Sequence, residues 1–322
     1  MLELGRFMKL CLVNGYDSLN KGQQMFHGVN QLGARLSDEG VAIWEEGRRR
    51  NHIVYSPENV VGFNESDVLI FIDWKIPGQS NNLYYEFLET DKRPAYLMKR
   101  EVPFWNPLVP SYDQFRAVLS FEEDSGYDNV YESNYCIDVS QYQYTGGVRD
   151  LECSLVSTNH SRDEPGCLYA YRRESARSLS ESFGTRFEVY GRGWEGERVN
   201  YKGTCDSKAD LLSRSVFNLC TENYANVPGY VTEKLLESVF YGSIPIYFCT
   251  GHSKNKIPKD VFINCANIDP SDLPQFLKDI TIAERNNLRD LGREWLLSEA
   301  FQTRFDSRAQ AKVFWDTVES SA

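Results

Sequence analysis

Two open α/β domains in series, each a parallel sheet covered by helices, are predicted by three features of the 322-residue sequence. Apolar runs of strand length alternate with segments of helical period along most of the chain. The alternation lapses around "QYQYTGG", where a glycine pair marks a linker. The length suits two domains of about 150 residues better than one. The predicted domains are 1–146 and 147–322, the second ending in a helical tail.

In the first domain "LCLVNG" reads as a strand. A helix follows with Met25, Phe26, Val29, Leu32 and Leu36 on one face; Gly40 is expected to end it, and "VAIW" to form the next strand. "DVLIFID" (67–73), a polar helix over 81–91, "AYLMKR" (95–100) and "AVLSFEE" (117–123) complete a series suited to a sheet buried on both faces. In the second domain "CSLVST" precedes a helix over 167–183, carrying Leu168, Tyr171, Ala176 and Leu179. There follow "FEVYG", a short helix with Leu211 and Leu212, "VFNLC", a helix over 231–241 and "IPIYF". Gly242 sits where a left-handed helix stop is needed. From 270 onward the pattern is helical, with Trp295, Leu296, Phe301, Phe314 and Trp315 as packing residues.

A formal charge of −11 argues against a sequence-independent grip on nucleic acid or an anionic membrane, which needs a basic surface. The sequence contains no apolar run long enough to span a bilayer, and the N-terminal apolar pulse is broken by Asn14 and Asp17. A cytoplasmic protein without an integral membrane segment is expected. The eight cysteines are scattered and contain no CxxC pair, so neither a metal site nor a redox motif is expected. "GRGWEG" (191–196) lacks the glycine spacing of the dinucleotide fingerprint, which disfavours hydride transfer.

The chemistry-bearing residues gather at strand ends. Two such domains suggest a ligand in the cleft at their strand ends. The helix starting near Val231 directs free N–H groups and a positive dipole end there, a ready anion site. Lys234 lies in its first turn, where a phosphate would compensate it; pairing with Glu233 or Glu237 is the alternative. Tyr230 and Glu233 are suited to sugar or ribose hydroxyls, and Glu222 and Asn223 end the neighbouring strand on the same edge. In the first domain Glu101 follows a buried strand and precedes Pro103, Phe104 and Trp105, a setting for a general base. Glu122 and Glu123 are its competitors. Trp74, Tyr84 and Tyr85 offer faces for sugar stacking or simply core packing.

The stretch "FNLCTENYANVPGYVTEKLLESVFYGSIPIYF", followed by "IPKDVFINCANI", resembles the signature of the α-1,3/4-fucosyltransferases, glycosyltransferase family 10, particularly their soluble bacterial branch. The likeness is dense over some 55 residues and specific, because YVTEK stands between two other family blocks in order; "REVPFWNP" and "SFEED" extend it more weakly. The resemblance implies the GT-B fold, with two Rossmann-like domains facing a cleft, and inverting transfer of L-fucose from GDP-β-L-fucose to a glycan hydroxyl. It implies Glu101 as the base and Arg172, Asn223, Tyr230, Glu233 and Lys234 as donor-holding residues, with no metal required. Arg172 is preferred to Arg173 by its distance from Leu179. Three positions depart from the family pattern: Val102 replaces a serine, Val216 a lysine and Thr221 an aromatic. They leave open a related transferase with another nucleotide sugar, and a non-catalytic glycan-binding protein is the reading from another class.

Overall fold

The computed structural model describes residues 7–27, 35, 37–74, 83, 90–102, 109–122, 125–143, 147–162, 164–225, 227–250 and 257–321. The chain divides into two compact units. The first combines the described residues up to Asp138 with Thr303 onward, and the second runs from Val139 to Gln302.

The first unit is built on a six-stranded parallel sheet of β1 (Lys9–Asn14), β2 (Ile53–Tyr55), β3 (Val68–Ile72), β4 (Ala95–Lys99), β5 (Ala117–Ser120) and β6 (Val130–Glu132), in the order β2-β1-β3-β4-β5-β6. Its inner strands β1, β3, β4 and β5 are largely apolar on both faces because both are covered, while the edge strands β2 and β6 are partly exposed. Leu10 and Leu12 face one core with Ile70, Tyr96, Met98 and Leu119, while Cys11 and Val13 face the other with Leu69, Phe71, Leu97 and Val118. The strand order reverses between β1 and β3, so the carboxyl ends of these strands border a topological switch point.

The helices of this unit are α1 (Asp17–Asn20), α2 (Asp38–Arg49) and α3 (Val60–Glu65). α2 corrects the sequence reading: "VAIW" lies inside this helix, and Gly40 is in its first turn rather than at a helix end. Asp38 and Glu39 at its start and Arg48 and Arg49 at its end complement the helix dipole. Gly40 is needed for close approach, since a Cβ there would lie 2.2 Å from the carbonyl oxygen of Met25. The second strand is instead Ile53–Tyr55, and the polar helix expected over 81–91 lies outside the described residues apart from Leu83 and the last two positions.

The second unit has the parallel strands β7 (Leu151–Val156), β8 (Phe187–Tyr190), β9 (Ser215–Leu219), β10 (Ile244–Tyr247) and β11 (Ile263–Asn264), ordered β11-β10-β9-β7-β8. Its helices are α4 (Tyr169–Phe183), α5 (Lys208–Arg214), α6 (Glu233–Phe240), α7 (Leu273–Asp279) and α8 (Ile282–Leu297). The switch point lies between β7 and β9. Gly242 follows α6 with φ +74°, as a helix stop of this kind requires.

α9 (Glu299–Phe305) returns the chain to the first unit, where α10 (Ser307–Ser321) packs on α2. This differs from the expected division at 146/147, which assigned the whole helical tail to the second domain. The cause is tertiary: Phe314 and Trp315 are fully buried in the first unit's core. The Trp315 indole N–H donates to the Ile43 carbonyl at 2.9 Å, and its ring stacks on His52 at 4.6 Å. Trp315→Ala is expected to cost about 3–5 kcal/mol, the scale of truncating a buried aromatic. Hydrogen exchange should then accelerate in α2 and β1 while β7 and β9 keep their protection; the reverse pattern would return the tail to the second unit.

Candidate functional site

The second unit's site is built where β7 and β9 end. Ser157 follows β7, Thr221 and Glu222 follow β9, and Arg172 rises from the first turn of α4 between them. Its side chain is buried at 1% exposure. Nη1 donates to Ser157 Oγ at 2.7 Å, Nε to Thr221 Oγ1 at 3.2 Å, and Nη2 to the carbonyls of Thr221 and Glu222 at 2.7 and 2.8 Å. Burial lowers the Arg172 pKa, partly opposed by the Tyr169 and Glu222 groups. This guanidinium therefore splints the two strand ends. Thr221, a departure from the family pattern, supplies an acceptor that an aromatic side chain there would lack.

Glu222 fixes the start of α6. Its Oε1 accepts from Thr232 N at 2.8 Å and Tyr247 OH at 3.2 Å, and its Oε2 accepts from Thr232 Oγ1 at 2.8 Å. Thr232 is the N-cap of α6, with its side chain accepting from Lys234 N. Lys234 Nζ donates to Thr232 Oγ1 at 3.1 Å and lies 3.4 Å from Glu222 Oε2 and 3.3 Å from Glu233 Oε1. Burial raises the Glu222 pKa against the pull of Lys234. For Glu233 burial acts upward too, but Lys234 and Lys208 outweigh it and hold the carboxyl below its ordinary range. Glu237 pairs with buried Lys208, and Lys234 pairs with Glu233 and Glu222. Tyr230 is 2% exposed, and its carbonyl accepts from Tyr247 OH. Asn223 is partly buried beside them, its carbonyl accepting from Leu168 N.

Sequence reasoning missed the cationic rim beside this network. Gly191, with φ +123°, brings the loop after β8 against Ser157; a Cβ there would lie 2.2 Å from the Ser157 carbonyl oxygen. Trp194 Nε1 donates to that same oxygen at 2.6 Å, and Asn159 N donates to the Arg192 carbonyl at 2.8 Å. Arg192 is exposed, and its side chain makes no hydrogen bond or ion pair among the described residues. Burial, then Arg162, Arg172 and Arg192, lower the pKa of His160. Arg173 donates to Asn159 Oδ1 and to the His160 carbonyl and faces Glu197 at 3.7 Å. The glycines flanking Arg192 in "GRGW" were the available signal.

In the first unit Glu101 follows β4 and is 7% exposed. Tyr16 OH, from the turn after β1, donates to Glu101 Oε1 at 3.2 Å. Asp73, after β3, adopts φ +56° and accepts the backbone N–H groups of Arg100 and Glu101 on one oxygen, both at 2.8 Å. Three strand ends thus place this carboxylate. The competing Glu122 has Lys99 Nζ at 2.6 Å on one oxygen and Tyr112 OH at 2.8 Å on the other. Trp74 is 3% exposed and packs edge-on to Phe71 and Phe115, so it fills the core and offers no stacking platform. Tyr84, Tyr85, Phe104, Trp105 and Glu123 lie outside the described residues.

Among the described residues three or more His, Cys, Asp or Glu side chains nowhere gather in a metal-holding group. No described helix is long and apolar enough to cross a membrane.

Residues 150–292 match the sequence profile of the glycosyltransferase family 10 (fucosyltransferase) C-terminal domain. No curated protein matches by sequence. An α1,3-fucosyltransferase crystal structure is similar at TM-score 0.62 and 16% identity, covering 100% of this chain and 92% of that one. The α1,3-fucosyltransferase with GDP-fucose gives 0.58 and 14% over the same shares. The T4 phage β-glucosyltransferase with UDP-glucose gives 0.58 and 12%, covering 97% and 99%. The two parallel-sheet units match the domains of the GT-B fold.

Glu222 is placed as the buried anchor of the α6 start. Glu222→Ala should therefore lower unfolding stability by about 3–5 kcal/mol, because Lys234 and the Thr232 N–H lose their partner. Denaturant unfolding showing a loss below about 1 kcal/mol, the range of an exposed pair, would contradict that placement.

Proposed function

From the match of residues 150–292 to the C-terminal domain profile of glycosyltransferase family 10, the fucosyltransferases, we propose that the chain is a glycosyltransferase that transfers L-fucose from GDP-β-L-fucose to a hydroxyl of a glycan acceptor, with inversion. The observation that carries the reading is the β9–α6 turn. There Lys234 and the N-terminal N–H groups of α6 are held as one unit by Glu222 and Thr232.

The GDP diphosphate lies against Lys234 and the start of α6, where both cation and helix dipole favour an anion. Glu233, kept ionised by its lysine neighbours, accepts from the ribose hydroxyls, and Tyr230 and Asn223 complete the donor contacts. Arg172 holds the donor from beneath: its charge adds to the field while its hydrogen bonds keep the strand ends in place.

Glu101 removes the proton of the acceptor hydroxyl as the oxygen attacks the anomeric carbon from the face opposite the diphosphate. The carbon–oxygen bond to the β-phosphate breaks, its electron pair leaves with GDP, and the β-linked donor becomes an α-linked product. Lys234 and the helix N–H groups stabilise the charge growing on the leaving phosphate, which is the work a divalent ion performs elsewhere. Transfer is proposed to proceed without a metal and in the cytoplasm.

GDP should raise the melting temperature of the protein and UDP should not, at equal concentration. Glu101→Gln should lose about 10²- to 10⁴-fold in transfer to a glycan acceptor with GDP affinity unchanged. Near-normal turnover in that variant, or equal stabilisation by both nucleotides, would count against the reading.

A further inference from the structure

A cavity of about 350 Å³ opens in the first unit, lined from the turns after β1 and β2 and from α2. Ligand pockets are of this order and combine apolar walls with a few placed polar groups. Phe26, Trp44 and Tyr55 supply ring surface. Gln23, His27 and Asn59 carry side-chain hydrogen-bonding groups in its lining. Among the described residues the lining contains no carboxylate, lysine or arginine.

Part of this polar lining is uncommitted among the described residues. The Asn59 side-chain oxygen caps α3 by accepting from Gly62 N at 2.8 Å, which leaves its amide N–H groups for another acceptor. The site is held rigidly. Gln23 has φ +56° directly after Gly22 at +57°, a backbone conformation rare for a residue with a side chain. Gly22 N donates to the Glu58 carboxylate, which ties the turn after β1 to the turn after β2. Residues held in this way cluster at ligand sites. The Arg48 guanidinium lies 4.8 Å from the Trp44 ring centroid and steadies that indole.

We infer that this cavity binds a neutral saccharide, as a subsite for a sugar ring of the acceptor remote from the reacting hydroxyl. Ring faces for apolar C–H surfaces, interleaved with uncharged donors and acceptors, match a sugar's own alternation. The choice of a saccharide rests on the glycosyl-transfer reading. The cavity opens at the same carboxyl edge of the sheet as Glu101. β2 lies three strand spacings from β4, about 15 Å, a span for a short oligosaccharide.

The test uses the full chain on an array of neutral tri- to hexasaccharides, with GDP binding measured in parallel. A subset of glycans should bind, and both Trp44→Ala and Gln23→Ala should weaken that binding at least about ten-fold while GDP affinity stays unchanged. Gln23 is exposed, so its variant keeps the fold if Trp44→Ala does not. Unchanged glycan affinity in Gln23→Ala, or no glycan bound by a wild-type protein that binds GDP, would overturn the inference and leave the donor assignment intact. Glycan binding lost in both variants, in a protein that never binds GDP, would support the saccharide site and sink the proposed reaction.

Discussion

The Glu222 carboxylate governs the second unit's site. Buried at 2% exposure, it receives the Thr232 N–H, the Thr232 hydroxyl and the Tyr247 hydroxyl, with Lys234 beside it. Removing a charge from water is costly unless it is paired and its lone pairs are filled. The sequence must therefore supply all of these donors together, and supplying them fixes where α6 begins, where β10 ends and where Lys234 points. Arg172 extends the constraint to β7 through Ser157, and to the Glu222 backbone itself. The N-terminal end of α6 is in this way fixed before any ligand arrives, which is what the proposed stabilisation of a leaving phosphate requires.

The first unit solves a related problem with an aspartate in an unfavourable backbone conformation. Asp73 at φ +56° receives two successive N–H groups after β4 and so sets the turn from which Glu101 projects. Tyr16 reaches the same carboxylate from the turn after β1. In both units the polar groups sit on loops at the carboxyl ends of parallel strands, while the apolar strands behind them only hold position.

Much of this was legible in the sequence because buried parallel strands are written as short apolar runs. "VLIFI", "AYLMK" and "IPIY" are strands as expected. "VAIW" misled because four apolar residues fit a strand as well as a buried helix face; its identity lies in the charges at either end of α2. The tail's allegiance was not readable, since it depends on Trp315 finding the Ile43 carbonyl far away in sequence. Nor does any local pattern announce that Asp73 takes a left-handed conformation. The cluster around α6 was visible as a set, but that Glu222 anchors the Thr232 cap while Lys234 lies between Glu222 and Glu233 needed the distances. Thr221 looked like a defect in the family pattern and is the acceptor for Arg172 Nε.

The central claim is that Glu222 positions Lys234 for a diphosphate. A double-mutant cycle on GDP affinity, using Glu222→Gln and Lys234→Met by titration calorimetry, tests it most directly. If the carboxylate aims the lysine, the two losses overlap and the coupling energy falls in the range of about 0.5–3 kcal/mol found for interacting residues. Losses that add to within about 0.3–0.5 kcal/mol, as for independent sites, would contradict it.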